Sequence, residues 1–125
     1  MIRILKENDN SAVMELLNHD KELNLFIIGD IENNGYTSDI QKVWGEFREG
    51  CLIAVLLKYY DNYIFYSNSD FFIQGFASIM ISEKGRFLSG EIELISRFQE
   101  AMKLMPAISR QFCKLDRQTF VIPDI

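Results

Sequence analysis

From Lys42 to Ser67 the chain reads KVWGEFREGCLIAVLLKYYDNYIFYS, and this stretch decides the fold. It divides into three β-rich runs, Lys42 to Arg48, Cys51 to Tyr59 and Tyr63 to Ser67, separated by Glu49-Gly50 and by Asp61-Asn62. Both separators are short enough for hairpins. In the first run Val43 and Gly45 alternate with Trp44 and Glu46, whereas the second is apolar throughout from Leu52 to Leu57. Continuous apolarity is the pattern of a strand covered on both faces. The expectation is an antiparallel meander with a buried central strand.

Upstream, Ile2, Ile4 and Leu5 form a short β-like opening that stops at the polar cluster Lys6 to Asn10, rich in helix-capping side chains. A first helix is expected from about Ser11 to Asn18, with Val13, Leu16 and Leu17 on one face. Asn24 reads as the cap of a second helix, flanked by Leu23 and Ile28 in the positions of a hydrophobic staple, and Asn33-Asn34-Gly35 closes it. Downstream, Ser69-Asp70 reads as the cap of a third helix carrying Phe72, Phe76, Ile79 and Met80 and ending near Gly85. Arg86 to Ser89 follows as a strand, and Gly90 opens a fourth helix that Pro106 stops. A last extended stretch runs from Ser109 to about Leu115, and the chain ends on Phe120, Val121, Ile122 and Ile125. The order is β-α-α-β-β-β-α-β-α-β, an α+β (mixed α/β) sheet domain occupying residues 1–125 without a linker.

Composition excludes several classes of function. The 125 residues hold 13 Lys+Arg against 18 Asp+Glu, a formal charge of −5 with no basic cluster, which argues against nucleic acid. The longest apolar run, Cys51 to Leu57, is far short of the ~20 residues that cross a bilayer as a helix. The N-terminus lacks the pattern of a secretory signal, so a cytoplasmic location is expected. With one histidine, His19, paired-imidazole metal sites are not available, and no metal site is expected. Cys51 and Cys113 are expected to be reduced, Cys51 buried at the start of an apolar strand.

The order of elements, together with Asn24 to Asn33, Val43-Trp44-Gly45-Glu46-Phe47 and Ala54 to Tyr60, resembles the N-terminal half of bacterial two-lobed acetyltransferases of the GNAT superfamily. The resemblance implies a GNAT-like lobe, with acetyl transfer from acetyl-CoA to an amine performed by a full enzyme. Its partner would be a C-terminal catalytic GNAT lobe in cis or in trans. The family signature is Arg or Gln, two residues, Gly, one residue, then Gly or Ala, on a turn whose N–H groups hold pyrophosphate. Here Gly75 and Ala77 have the right spacing, but Phe72 stands in place of Arg or Gln; Arg86 is followed by Ser89 where Gly is required, with Gly90 one step late. Gly75 also falls inside the apolar periodicity of the third helix. No cofactor site is therefore expected in this chain alone, which stops where the proteins it resembles would begin their catalytic lobe.

Asn24, Asp30, Glu32 and Trp44 are the candidate substrate-facing residues. Asp30 and Glu32 lie on the helix that the resemblance places near the acceptor, although residues two apart on a helix project in different directions and solvated helix charges explain them as well. Trp44, with Tyr59, Tyr60, Tyr63 and Tyr66, is rich enough in aromatic surface to line a cleft for a cationic or planar ligand; core packing and a cross-strand ladder are the plainer account. Glu91 and Glu93 read as favourable charges at a helix N-terminus, and His19 as a surface residue. The alternative to an acetyltransferase lobe is a non-catalytic binding module that dimerises through a sheet edge or the apolar tail.

Overall fold

A computed structural model describes residues 1–102 in full, and residues 105–112 and 117–121 as backbone. One sheet of seven strands organises the chain: β1 (Ile2–Ile4), β2 (Gln41–Arg48), β3 (Cys51–Tyr59), β4 (Asn62–Ser67), β5 (Phe87–Glu91), β6 (Met105–Phe112) and β7 (Arg117–Val121). Their spatial order is β1-β2-β3-β4-β5-β7-β6. Four helices cover it: α1 (Asn10–Leu17), α2 (Leu25–Asn34), α3 (Ile73–Glu83) and α4 (Ile92–Met102).

The antiparallel meander forms as expected, with its second turn at Tyr60-Asp61 in place of Asp61-Asn62. Arg48 pairs with Cys51 across Glu49 and Gly50, both at positive φ (53° and 79°), the turn whose twist suits a two-residue hairpin. Side chains of β3 alternate between two cores. Ala54 and Leu56 join Trp44, Tyr63, Phe65, Phe76, Met80, Ile95 and Phe98 beneath α3 and α4, whereas Val55 and Leu57 join Leu5, Val13, Leu17, Ile27, Tyr36 and Tyr66 beneath α1 and α2. Burial on both faces is the physical reason for the unbroken apolar run.

Five further expectations change. The third helix begins at Ile73 with Phe72 as its cap residue, not at Ser69-Asp70, because the Phe72 N–H finds its acceptor on β2. Asn24 precedes α2, but its side chain donates to the Leu17 carbonyl (3.0 Å) instead of capping the helix. Gly90 belongs to β5, where a Cβ would stand 2.9 Å from the Phe65 carbonyl oxygen; only glycine allows β4 and β5 to pair there. Cys51 is exposed, since it stands at the tip of the hairpin ahead of the buried part of β3; Cys113 lies outside the described residues. The extended stretch expected at Ser109 to Leu115 is β6 at Met105–Phe112, and the order gains a seventh strand. That strand, β7, pairs with β5 on one side and β6 on the other, so the tail at Arg117–Val121 has both its edges in the sheet. Ile122 and Ile125 lie outside the described residues.

Candidate functional site

Among the described strands, β4 and β5 alone pair in parallel. Their register runs from Asn62↔Phe87 to Phe65↔Gly90 and stops, while β4 continues through Tyr66 and Ser67 and Glu91 pairs with Arg117 of β7. The strands part at this end, and ligands of open α/β sheets sit in such crevices beyond the strand ends. A cleft of about 540 Å³ opens there. Among the described side chains, the carboxylates of Asp20, Asp70, Glu91 and Glu93 and the guanidinium of Arg97 line it. Arg97 lies 3.6 Å from Asp70 and over the ring of Phe71. Both charged groups are well exposed, so the pair is weak. Beneath it the Tyr66 hydroxyl donates to Asp20 at 2.6 Å. Burial, and then the Asp20 carboxylate, push the Tyr66 hydroxyl far above the ordinary phenol range, so it stays a donor.

From this end of β4 the chain turns into α3. The Ser67 hydroxyl lies 2.6 Å from the Ile53 carbonyl and accepts the Ser69 N–H at 3.3 Å, which ties the turn to the bulged strand β3. Phe71 then inserts between α3 and α4: its ring lies 4.7 Å from Phe65, 6.4 Å from Phe76 and 5.5 Å from Phe98, nearly parallel to the last. The Phe72 N–H donates to Oε1 of Glu46 at 2.7 Å. Gly75, in the first turn of α3, faces Ile2 and the Phe72 ring, which a Cβ would meet at 2.6 and 2.7 Å. The turn is filled by the chain's own groups.

The four residues chosen from the sequence are not brought together. Trp44 is 5% exposed and packs in the α3/α4 core, so it does not face a cleft. The neighbouring tyrosines divide between the two faces: Tyr63 shares the core of Trp44, Tyr66 lies in the other core, and Tyr60 is exposed. Asn24 is 1% exposed, its amide on the Leu17 carbonyl, and is a structural residue here. Asp30 is half-buried, burial pushes its carboxyl above the ordinary value, and its backbone carbonyl accepts from Gln41. Glu32 is exposed on a groove of about 630 Å³ between α1 and α2, with Glu7 and Lys21 among the other charged groups on it. The sequence reading missed Glu46 and Phe71. A signal for Glu46 existed, because strand alternation puts it on the face of Trp44, where a buried carboxylate requires a partner.

No protein-family model matches the sequence, and no curated protein does. Solved structures match along nearly the whole length. A probable acetyltransferase from Staphylococcus epidermidis ATCC 12228 superposes with a TM-score of 0.61 at 16% identity, over 97% of this chain and 96% of that one. The chain has the GNAT fold. A ribosomal-protein-alanine N-acetyltransferase from Brucella melitensis (TM-score 0.57, 13% identity, 98% of this chain and 99% of that one) has the same GNAT fold. So does an N-acetyltransferase from Staphylococcus aureus Mu50 (0.56, 12%, 99% and 97%). In this chain, the cleft at the parting of β4 and β5 lies beside the turn into α3.

Proposed function

We propose that this chain is a GNAT-type acetyltransferase lobe that supplies scaffold and an amine-facing surface, without an acetyl-CoA site of its own. The observation that carries the reading is the environment of Gly75. A pyrophosphate turn needs glycine so that backbone N–H groups approach phosphate oxygens closely. Here the space a Cβ would take is occupied by Ile2 and Phe72, and the neighbouring N–H, that of Phe72, is already held by a carboxylate. Acetyl-CoA does not fit these residues in the usual way.

The charge of the cleft supports the same reading. Asp20, Asp70 and Glu93 repel phosphate and attract an ammonium group, which is the form of an amine acceptor before transfer. Glu32, on its own groove, and Asp30 add acidic surface on α2. The acetyl donor then belongs to a second GNAT lobe, in cis or in trans, and residues 1–125 act as one lobe of a cytoplasmic enzyme. No helix among the described residues is long and apolar enough to cross a membrane.

The test is turnover by the isolated chain. With acetyl-CoA and a polyamine such as spermidine, free thiol is expected to appear only at the uncatalysed rate. Release above that rate, lost when Asp70 and Glu93 are both replaced by Asn and Gln, would mean that the lobe is a complete enzyme.

A further inference from the structure

We infer that Glu46 is an internal anion that has taken the place of an external one at the N-terminus of α3, closing this turn to phosphate. The inference deepens the reading above by naming the residue responsible.

Glu46 belongs to a row that crosses the sheet, Ile2↔Glu46↔Ala54↔Ser67, and it points to the face that α3 covers. A β-bulge follows it: Glu46 pairs with Ala54 and Phe47 with Leu52, which leaves Ile53 as the extra residue. Bulges bend a strand and re-aim its side chains. The side chain of Glu46 is 3% exposed, yet both its oxygens are engaged, Oε1 by the Phe72 N–H at 2.7 Å and Oε2 by the Arg48 guanidinium at 3.0 Å. A carboxylate so buried is tolerated only when its lone pairs are met by charge-assisted hydrogen bonds. A helix N-terminus adds favourable potential from its dipole. The contact joins residues 26 apart, so it fixes where α3 begins and holds Phe72 over Gly75.

The same geometry disfavours any second anion. A phosphate approaching the Phe72 N–H would have to displace a tethered carboxylate and the Phe72 ring beside Gly75, and it would meet a like charge whose guanidinium partner is already engaged. Arg48, itself half-exposed, is already committed to Glu46. The turn is thus closed by substitution of one anion for another, in addition to lacking the Arg or Gln of the signature.

The experiment follows the backbone amides of Phe72 to Gly75 by NMR in the wild type, Glu46→Ala and Glu46→Gln, before and after addition of inorganic pyrophosphate. In the wild type these amides are expected not to move with pyrophosphate. Glu46→Ala should raise the exchange rate of the Phe72 amide by roughly tenfold or more, the loss expected when a charge-assisted hydrogen bond disappears. Pyrophosphate should then shift these amides. Glu46→Gln keeps an acceptor oxygen without the charge; it should keep slow exchange at Phe72 and respond to pyrophosphate, and it serves if the Ala variant does not fold. Pyrophosphate shifts in the wild type equal to those in the variants would overturn the inference, as would variants whose amides are indifferent to pyrophosphate. Because the readout is the Phe72 amide and an inorganic anion, this inference and the absence of acetyl-CoA turnover can fail separately.

Discussion

Phe71 and Phe98 stack at 5.5 Å with their planes 20° apart, joining the turn before α3 to the middle of α4. Phe65 contacts both rings, at 4.7 and 4.9 Å. This aromatic group fills the space between the two helices. Replacing Phe71 by Ala removes a partly buried ring and leaves a cavity, with an expected cost of about 2 kcal/mol. Urea denaturation of the variant should give a lower midpoint with an unchanged slope; an unchanged midpoint would show that the ring does not hold the helices together.

Gly90 should be intolerant of even one methyl group. A Cβ there meets a backbone oxygen, that of Phe65, at 2.9 Å, and also the Ile95 Cδ1 at 2.9 Å. A side chain can rotate away, but a paired carbonyl cannot move without breaking the β4–β5 ladder. Gly90→Ala is therefore expected to cost about 1–3 kcal/mol, the range for overpacking a tight site. Thermal unfolding checks this, and a melting temperature at or above that of the wild type would contradict the close approach of the strands.

The Glu49-Gly50 hairpin was legible in the sequence, and so was the central strand, because turn chemistry and continuous apolarity are local signals. The second turn lies one residue earlier than expected, at Tyr60-Asp61. What was not legible depended on residues far apart in the chain. The start of α3 was misplaced at Ser69-Asp70, since its N–H partner is Glu46 on another strand. The position of β7 between β5 and β6 follows from pairing, which no local pattern encodes. Trp44 invited a ligand-facing reading by its chemistry alone. Its burial depends on where α3 and α4 come to rest. Asp30 and Glu32 were placed correctly on one helix, but the acidic cleft at Asp20, Asp70, Glu91 and Glu93 gathers residues from three separate parts of the chain.

The N-terminal arm should carry an acid-sensitive contribution to stability. Arg3 holds the Asp9 carboxylate through two 2.9 Å contacts, and the Lys6 N–H donates to the same group at 2.8 Å. The Arg3 guanidinium, above all, lowers the Asp9 pKa from 3.8 to about 2. A folded-state pKa below the unfolded one stabilises the protein above the unfolded value, and that stabilisation disappears as pH falls through the folded one. The wild type is thus expected to be more stable than Asp9→Asn at neutral pH, with the difference shrinking below pH 3.8 and vanishing below about 2. Urea midpoints of both proteins across this range provide the check, and a difference independent of pH would rule out the ion pair as its source.

The central claim is that this GNAT-fold lobe does not hold acetyl-CoA by itself, and isothermal titration of the isolated chain with acetyl-CoA tests it most directly. The expected result is no heat beyond dilution, with Glu46, Ile2 and Phe72 occupying the turn that the pyrophosphate would need. A saturable isotherm with one site per chain and micromolar affinity would contradict the account.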